Sequence, residues 1–133
     1  MGLKYLGNKN ILIIVNDIVT VKLISTILTK RSDMNVISSY VGTDALKILL
    51  LEDKKIDIVL LEHHLPEKNV NDILYAIREN KKFDNLPVVI ISSDGMVKSK
   101  LQNMGANGFL LKPFSMDTFI SEISVHFEDR KQA

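Results

Sequence analysis

The sequence predicts an α/β fold, in which a doubly wound sheet of five parallel strands carries helices on both faces. Five short apolar runs alternate with segments whose apolar residues recur every three or four positions, as in repeated β–α units. Within the runs the apolar residues are consecutive, which is typical of strands covered on both faces. We predict one domain over residues 10–128, with a polar leader over residues 1–9 and a charged tail over residues 129–133.

Composition excludes several classes of function. The chain has 133 residues, a formal net charge of +1 and no cysteine, which excludes disulfides, thiol catalysis and thiolate metal sites. The balanced charge provides no basic field for nucleic acid or anionic lipid. No apolar run approaches the ~20 residues that a membrane-spanning helix needs. We therefore expect a cytoplasmic protein that binds neither nucleic acid nor membrane.

The strands follow from the apolar runs. The second run is more polar than the others, so its strand is expected at an edge of the sheet. The fourth run begins with a proline, which a strand tolerates at its first residues. The predicted strands cover residues 11–15, 34–40, 58–61, 86–91 and 108–111.

The helices between the strands have recognisable ends. Lys30 and Arg31 lie in the last turn of the first helix, Thr43 is a candidate cap for the second, Gly105 for the fourth and Ser115 for the fifth. We expect the Met and Phe residues of the helices to lie in the core. The apolar positions are Ile18, Val21, Ile24 and Leu28; Ala45, Leu46, Leu49 and Leu50; Ile73, Leu74 and Ile77; Val97, Leu101 and Met104; and Phe119, Ile120, Ile123 and Phe127.

Polar residues follow four of the five predicted strands. In an open parallel sheet the carboxyl ends of all strands lie at one edge, where ligands bind. Any such fold has polar strand ends, but this set combines two carboxylates, an amide, hydroxyls and an ammonium, with Leu-Pro and Lys-Pro turns beside them. The residues expected to meet are Asn16, Asp17, Glu62, Ser92, Ser93, Lys112 and Pro113.

Taken in order, these motifs resemble the receiver domains of two-component response regulators, of which the single-domain chemotaxis regulator is the simplest example. The resemblance covers residues 11–127 and implies a flavodoxin-like strand order, 2-1-3-4-5. It rests on V-N-D at 15–17, L-L-E-x-x-L-P at 60–66, P-V-V-I-I-S-S at 87–93 and G-A-N-G-F-L-L-K-P-F at 105–114.

The resemblance also implies roles for single residues. In that family a histidine kinase phosphorylates an aspartate at the end of the third strand, beside Mg²⁺ held by an acidic pair that follows the first strand. Asp17 matches the second member of that pair, Ser92 the hydroxyl and Lys112 the ammonium that contact the phosphoryl oxygens. Phe109 matches the aromatic residue that moves with the hydroxyl as a switch. The peptide bond before Pro113 is often cis in the family.

Three positions depart from the family pattern. Asn16 replaces the first acidic residue, Glu62 replaces the phosphoacceptor aspartate, and Val70 replaces a glycine. The extra methylene moves the nucleophilic oxygen by roughly 1–1.5 Å, and a misplacement of ~1 Å can cost on the order of a hundredfold in rate. We expect no cofactor and, at most, weak Mg²⁺ binding through Asp17, Glu62 and the backbone carbonyl of His64.

The longer Glu62 side chain can also reach Lys112. We expect a charge-assisted hydrogen bond that locks the domain in one state, with an active-like state as the hypothesis. An outward arrangement of Ser92 and Phe109 would make the active-like version wrong. A histidine metal site is a weaker interpretation, because adjacent side chains on an extended segment point to opposite sides. We instead expect His64 to overhang the pocket.

We therefore expect a degenerate receiver domain that is not an enzyme. It would act as a phosphorylation-independent protein–protein interaction module in signal transduction. The resemblance implies a working surface on the fourth helix, fifth strand and fifth helix, used for a histidine kinase, a downstream target or self-association, so a homodimer stays open. The exposed candidates there are Lys98, Lys100, Gln102 and Asn107.

Two other functions stay open. The first is a receiver that still accepts a phosphoryl group, on Glu62 or elsewhere, or that responds to another ligand in the altered pocket. The second is a metal-dependent phosphatase or dehalogenase-like hydrolase with a strand-end carboxylate as nucleophile. Such enzymes usually carry an acid two residues after the nucleophile, where this chain has His64, and the chain has no cap segment for a substrate.

Overall fold

The computed structural model describes residues 9–31, 33–39, 42–51, 55–66 and 69–132. Strands and helices alternate along them, as the sequence predicts. The strands are β1 (Asn10–Ile14), β2 (Asn35–Ser39), β3 (Ile58–Glu62), β4 (Val88–Ser92) and β5 (Gly108–Leu111), and the helices are α1 (Ile18–Arg31), α2 (Gly42–Leu51), α3 (Val70–Glu79), α4 (Lys98–Asn103) and α5 (Met116–Gln132).

The five strands form one parallel sheet in the order β2-β1-β3-β4-β5. This confirms the predicted fold class and strand order, and it places β2 at an edge. Glu62 at the end of β3 lies beside Ile91 of β4, and Ser92 at the end of β4 lies beside Leu111 of β5. The register therefore brings the ends of the strands together at one side of the sheet, which we call the carboxyl edge.

The core forms two layers, one on each face of the sheet. Successive strand residues point to opposite faces, so Ile11 and Ile13 pack with α1 and α5, while Leu12 and Ile14 pack with α2, α3 and α4. All four side chains are fully buried, as the consecutive apolar residues predict. The predicted apolar positions of α5 are also buried: Phe119, Ile120, Ile123 and Phe127.

Three predicted helix ends are confirmed. Lys30 and Arg31 lie in the last turn of α1. Ser115 Oγ accepts a hydrogen bond from the Thr118 amide at 3.1 Å in the first turn of α5, and Gly105 takes a positive φ of 113° just beyond α4. Helix α2 begins at Gly42, and the side chain of the predicted cap Thr43 lies outside the described part of the structure. The end of the second predicted strand, Tyr40, lies outside the described residues.

The expectation that helical methionines lie in the core is wrong for two of them. Met96 is 89% exposed and Met116 is 41% exposed. Met96 belongs to a 3₁₀ turn that precedes α4, and Met116 is the first residue of α5, where its sulfur accepts a hydrogen bond from Arg31 Nη1 at 3.2 Å. Both positions lie beyond the part of the helix that packs on the sheet, so the spacing of apolar residues does not govern them.

The ends of the domain differ partly from the prediction. Helix α5 continues to Gln132, so residues 129–132, which the sequence assigns to a tail, are helical. The first eight residues of the predicted leader lie outside the described residues. None of the described helices is both long enough and apolar enough to cross a membrane.

Candidate functional site

A partly buried ion pair occupies the centre of the carboxyl edge. Glu62 ends β3 and is 3% exposed, and the Lys112 ammonium reaches it from the end of β5. Lys112 Nζ lies 2.8 Å from Glu62 Oε1. This confirms the predicted hydrogen bond: the longer carboxylate reaches the cation across the width of β4.

Asp17 directs its carboxylate at the first turn of α1. Its Oδ1 accepts a hydrogen bond from the Val19 amide at 3.0 Å, and its Oδ2 accepts one from the Thr20 hydroxyl at 2.6 Å. These bonds, first that of Thr20 and then that of Val19, hold the pKa of Asp17 below its usual value because they stabilise the carboxylate form. Asn16 beside it is exposed and adds no charge.

The carboxyl edge does not fit a firmly held Mg²⁺. The Glu62 carboxylate already has a cation, and both Asp17 oxygens accept hydrogen bonds from α1. Mg²⁺ requires oxygen ligands in near-octahedral geometry. Among the described residues, no three His, Asp or Glu side chains are grouped so that they could hold a metal ion. Weak binding through Asp17, Glu62 and the His64 carbonyl stays a prediction.

The Ser92 hydroxyl bonds to Asp94 and lies beside His63. Its hydroxyl oxygen accepts a hydrogen bond from the Asp94 amide at 2.9 Å and lies 3.2 Å from His63 Nδ1. Ser92 is nearly fully buried, and His63 is half-buried. The sequence alone did not predict this contact, although side chains alternate along an extended chain and so place His63 on the opposite side from Glu62.

The two histidines take different positions, as the alternation of side chains predicts. His63 contacts Ser92, whereas His64 is exposed, and their rings meet edge to face with centroids 6.2 Å apart. His64 is the residue that we expected to overhang the pocket, but the histidine that touches the predicted site is His63.

The remaining predicted site residues lie within β5, directly after it and at the start of α3. Phe109 is partly buried and packs on the layer of α2, α3 and α4. The peptide bond between Lys112 and Pro113 is cis, as the resemblance implies. Val70 is the first residue of α3, and its side chain is buried. The active-like state stays a hypothesis, with the Ser92 hydroxyl bonded to Asp94 and beside His63 and with Phe109 partly buried.

The sequence matches a known protein family. The family model of the response regulator receiver domain matches residues 11–124. The chain belongs to this family. It is therefore a receiver domain of a response regulator, a class of signalling protein. The match covers β1 from its second residue, Ile11, and all of β2 to β5.

Several curated relatives have similar sequences. A chemotaxis protein CheY homolog from Campylobacter jejuni is 23% identical over 107 residues, which cover 78% of this chain and 82% of that protein. Protein PilG from Pseudomonas aeruginosa is 28% identical over 115 residues, covering 85% and 84%. The probable transcriptional regulator ycf29 of Pyropia yezoensis is 28% identical over 116 residues, but this receiver domain spans only 51% of its length.

Solved structures show the same fold. A putative response regulator from Chloroflexus aurantiacus superposes with a TM-score of 0.82 at 19% identity, covering 90% of this chain and 97% of that one. A response regulator receiver domain protein from Clostridium thermocellum gives a TM-score of 0.80 at 21% identity, covering 93% and 98%. At these identities the likeness concerns the fold alone.

Proposed function

We propose that this receiver domain is degenerate and acts as a phosphorylation-independent protein–protein interaction module. The observation that carries the proposal is the 2.8 Å contact between Lys112 Nζ and Glu62 Oε1. In a receiver of the usual kind, the resemblance assigns this lysine to the phosphoryl oxygens. Here the side chain at the acceptor position holds the lysine itself.

The rest of the carboxyl edge supports the same proposal. Phosphoryl transfer depends on a metal ion and cations placed on the developing charge. Asn16 is neutral, and Asp17 uses its oxygens on the first turn of α1. The Ser92 hydroxyl is held by Asp94 and His63. The groups that would have to bind a phosphoryl group or its metal ion are therefore either uncharged, as Asn16 is, or already bonded to other residues of the domain.

The surface for a partner would be the face formed by α4, β5 and α5. It exposes two apolar side chains, with Leu111 50% and Val125 51% exposed, and Met96 in the 3₁₀ turn before α4 is 89% exposed. Exposed apolar groups of this kind favour protein contacts when they lie together. Lys98 and Gln102 are exposed there too, as predicted. A histidine kinase, a downstream target and a second copy are the candidate partners.

One of the predicted surface residues, Asn107, is already bonded within the domain. Asn107 is exposed, but its side-chain oxygen accepts hydrogen bonds from Arg78 Nη2 at 2.6 Å and from the Val88 amide at 2.8 Å. A partner would have to compete with both donors for this oxygen. The position therefore supports the end of the sheet rather than contacts outside the domain.

Intact mass after incubation with acetyl phosphate and Mg²⁺ tests the proposal, with Glu62→Asp as the matched variant. We expect the natural chain to stay unmodified and Glu62→Asp to gain the mass of one phosphoryl group. The shorter carboxylate frees Lys112 and restores the acceptor geometry. A second variant, Glu62→Asp combined with Lys112→Ala, should lose most of that gain.

The other outcomes are also informative. A mass gain in the natural chain would overturn the proposal and support a receiver that still accepts a phosphoryl group. Absence of the gain from both chains would mean that Asn16 and the metal site have also lost their function. The domain would then act through its surface alone.

A further inference from the structure

The Ser92 hydroxyl has its hydrogen-bond partners within the domain. A serine hydroxyl offers one donor and two acceptor lone pairs. Ser92 Oγ accepts a hydrogen bond from the Asp94 amide at 2.9 Å, and it lies 3.2 Å from His63 Nδ1 and 3.4 Å from the Asp94 carbonyl oxygen. Ser92 is 2% exposed, so water has little access to this hydroxyl. Its proton is therefore donated to one of the two acceptors, His63 or Asp94.

The lengths of these two contacts assign the proton to His63. The contact with the Asp94 carbonyl, at 3.4 Å, exceeds the roughly 2.5–3.0 Å of a usual O–H···O bond, whereas the contact with the imidazole nitrogen is shorter. A neutral imidazole has one nitrogen that donates and one that accepts, and its hydrogen bonds decide which is which. The hydrogen-bond pattern thus makes His63 Nδ1 the acceptor and places the ring proton on Nε2. The His63 amide donates to the Ile91 carbonyl at 2.8 Å, which holds the backbone that carries the ring beside β4.

The Ser92 hydroxyl is linked to the start of α4 by two further hydrogen bonds. It holds the amide of Asp94, and Asp94 Oδ1 accepts a hydrogen bond from the Met96 amide at 2.9 Å, which caps the 3₁₀ turn Gly95–Val97. Helix α4 begins directly after this turn, and the residue before the helix, Val97, has an apolar side chain that cannot cap it. The first turn of α4 therefore depends on the 3₁₀ turn and, through Asp94, on Ser92.

We propose that His63 is a positioning residue, which accepts the proton of the Ser92 hydroxyl in place of a phosphoryl group and so fixes the start of α4. The resemblance assigns this hydroxyl to the phosphoryl oxygens, and here an imidazole of the domain itself lies beside it. The inference rests on the proposed function, in which α4 is part of the surface for a partner. It gives a physical reason why that surface keeps one arrangement in a domain that is not phosphorylated.

The tautomer of His63 is the first test. Two-dimensional NMR of the full chain at pH 8, which correlates the imidazole nitrogens with the ring protons, distinguishes a protonated nitrogen from an unprotonated one. We expect an unprotonated Nδ1 and a protonated Nε2 for His63. The opposite tautomer would overturn the proposal, because Nδ1 would then be a donor and the Ser92 proton would be left with the longer contact to Asp94.

Matched histidine variants test the effect on α4. His63→Phe keeps a ring but removes the acceptor, whereas His63→Asn places an oxygen acceptor near the position of Nδ1. We expect His63→Phe to shift the amide signals of Asp94, Met96 and Lys98 and to speed solvent exchange of the Asp94 amide roughly fivefold, the effect of one lost hydrogen bond. His63→Asn should keep the signals and the exchange rate close to those of the natural chain. His64→Phe, a change at the exposed neighbour, is the control and should leave these amides unchanged.

A serine variant separates this role from simple packing of the ring. Because Ser92→Ala removes the hydroxyl, adding His63→Phe in that background should cause little further shift at Asp94 and Met96. The proposal fails if His63→Phe leaves these amides unchanged, if His64→Phe shifts them equally, if His63→Asn does not restore them, or if His63→Phe and Ser92→Ala act additively. All of these measurements are made without a phosphoryl donor or a partner, so their outcome is independent of the mass measurement that tests the proposed function.

Discussion

The two edges of the sheet use their polar side chains differently. At the amino edge, where the strands begin, polar groups bind the backbone: Asp57 Oδ2 accepts from the Asn10 amide at 2.8 Å, and Asn10 Nδ2 donates to the Lys55 carbonyl at 2.7 Å. At the carboxyl edge, contacts between side chains join the ends of different strands, Lys112 to Glu62 and Ser92 to His63, although Ser92 also accepts a hydrogen bond from the Asp94 amide.

Arg78 is the most developed example at the amino edge. Its guanidinium donates to the carbonyls of Gly105 at 2.9 Å, Phe83 at 2.8 Å and Leu86 at 2.8 Å, and also to the side chain of Asn107. Burial lowers the pKa of Arg78, but an arginine stays charged at any ordinary pH. One side chain thus joins α3 to the segments that lead into β4 and β5.

The two kinds of contact differ in the free energy that it costs to break them. A side chain bound to backbone carbonyls cannot change partners without leaving buried polar groups unpaired, which costs about 1–3 kcal/mol each. Two side chains bound to each other can exchange partners without a change in the backbone, but the Glu62 carboxylate, which is 3% exposed, would then need another cation. The contacts at the amino edge therefore hold the backbone in place, and those at the carboxyl edge depend on the pairing of side chains.

Arg78→Met gives the largest expected effect. The substitution keeps an apolar stem but removes the donors to three carbonyls and to Asn107. We expect the free energy of unfolding to fall by about 3 kcal/mol or more, measured by urea denaturation. Lys81→Met, an exposed lysine in the adjacent 3₁₀ turn, is the control and should change it by less than about 0.5 kcal/mol. Similar losses in the two variants would contradict the special role of this edge.

The ion pair at the carboxyl edge should have a smaller effect on stability. Lys112 keeps 26% of its side chain exposed, so a lone ammonium stays partly hydrated when its partner is removed. We expect Glu62→Ala to lower the free energy of unfolding by about 2 kcal/mol. In a double-mutant cycle with Lys112→Ala the coupling energy should be about 1–2 kcal/mol. A coupling close to zero would show that the pair does not form in solution.

Much of the fold could be predicted from local pattern. Consecutive apolar residues in five runs predict buried parallel strands, and the caps at Gly105 and Ser115 are local signals that the structure confirms. The Glu62–Lys112 contact could also be predicted, because it follows from one added methylene and the known geometry of strand ends. The sequence could not specify the order of the strands without the resemblance.

The unpredicted features depend on several segments at once. The contacts of Arg78 require the paths of the chain before β4 and β5 to converge on α3, and no spacing within α3 indicates this. The contact of His63 with Ser92 depends on how the chain turns after β3. Met96 and Met116 are exposed because they lie outside the packed part of a helix, where helical spacing has no meaning.

The smallest expected effect concerns Asp17. This residue lies at the carboxyl edge, but one of its hydrogen bonds comes from a backbone amide, that of Val19, as at the amino edge. Its native pKa lies below the usual 3.8, so its stabilisation is present above the unfolded value and is lost as the pH falls through the native one. Asp17→Asn keeps an oxygen acceptor without the titration. The loss of stability between pH 7 and pH 3 should therefore be smaller in Asp17→Asn than in the natural chain, as measured by thermal unfolding. Thr20→Val, which removes the stronger donor, should reduce the loss in the same direction. Identical acid profiles for all three chains would contradict the stabilisation of the Asp17 carboxylate by these two hydrogen bonds.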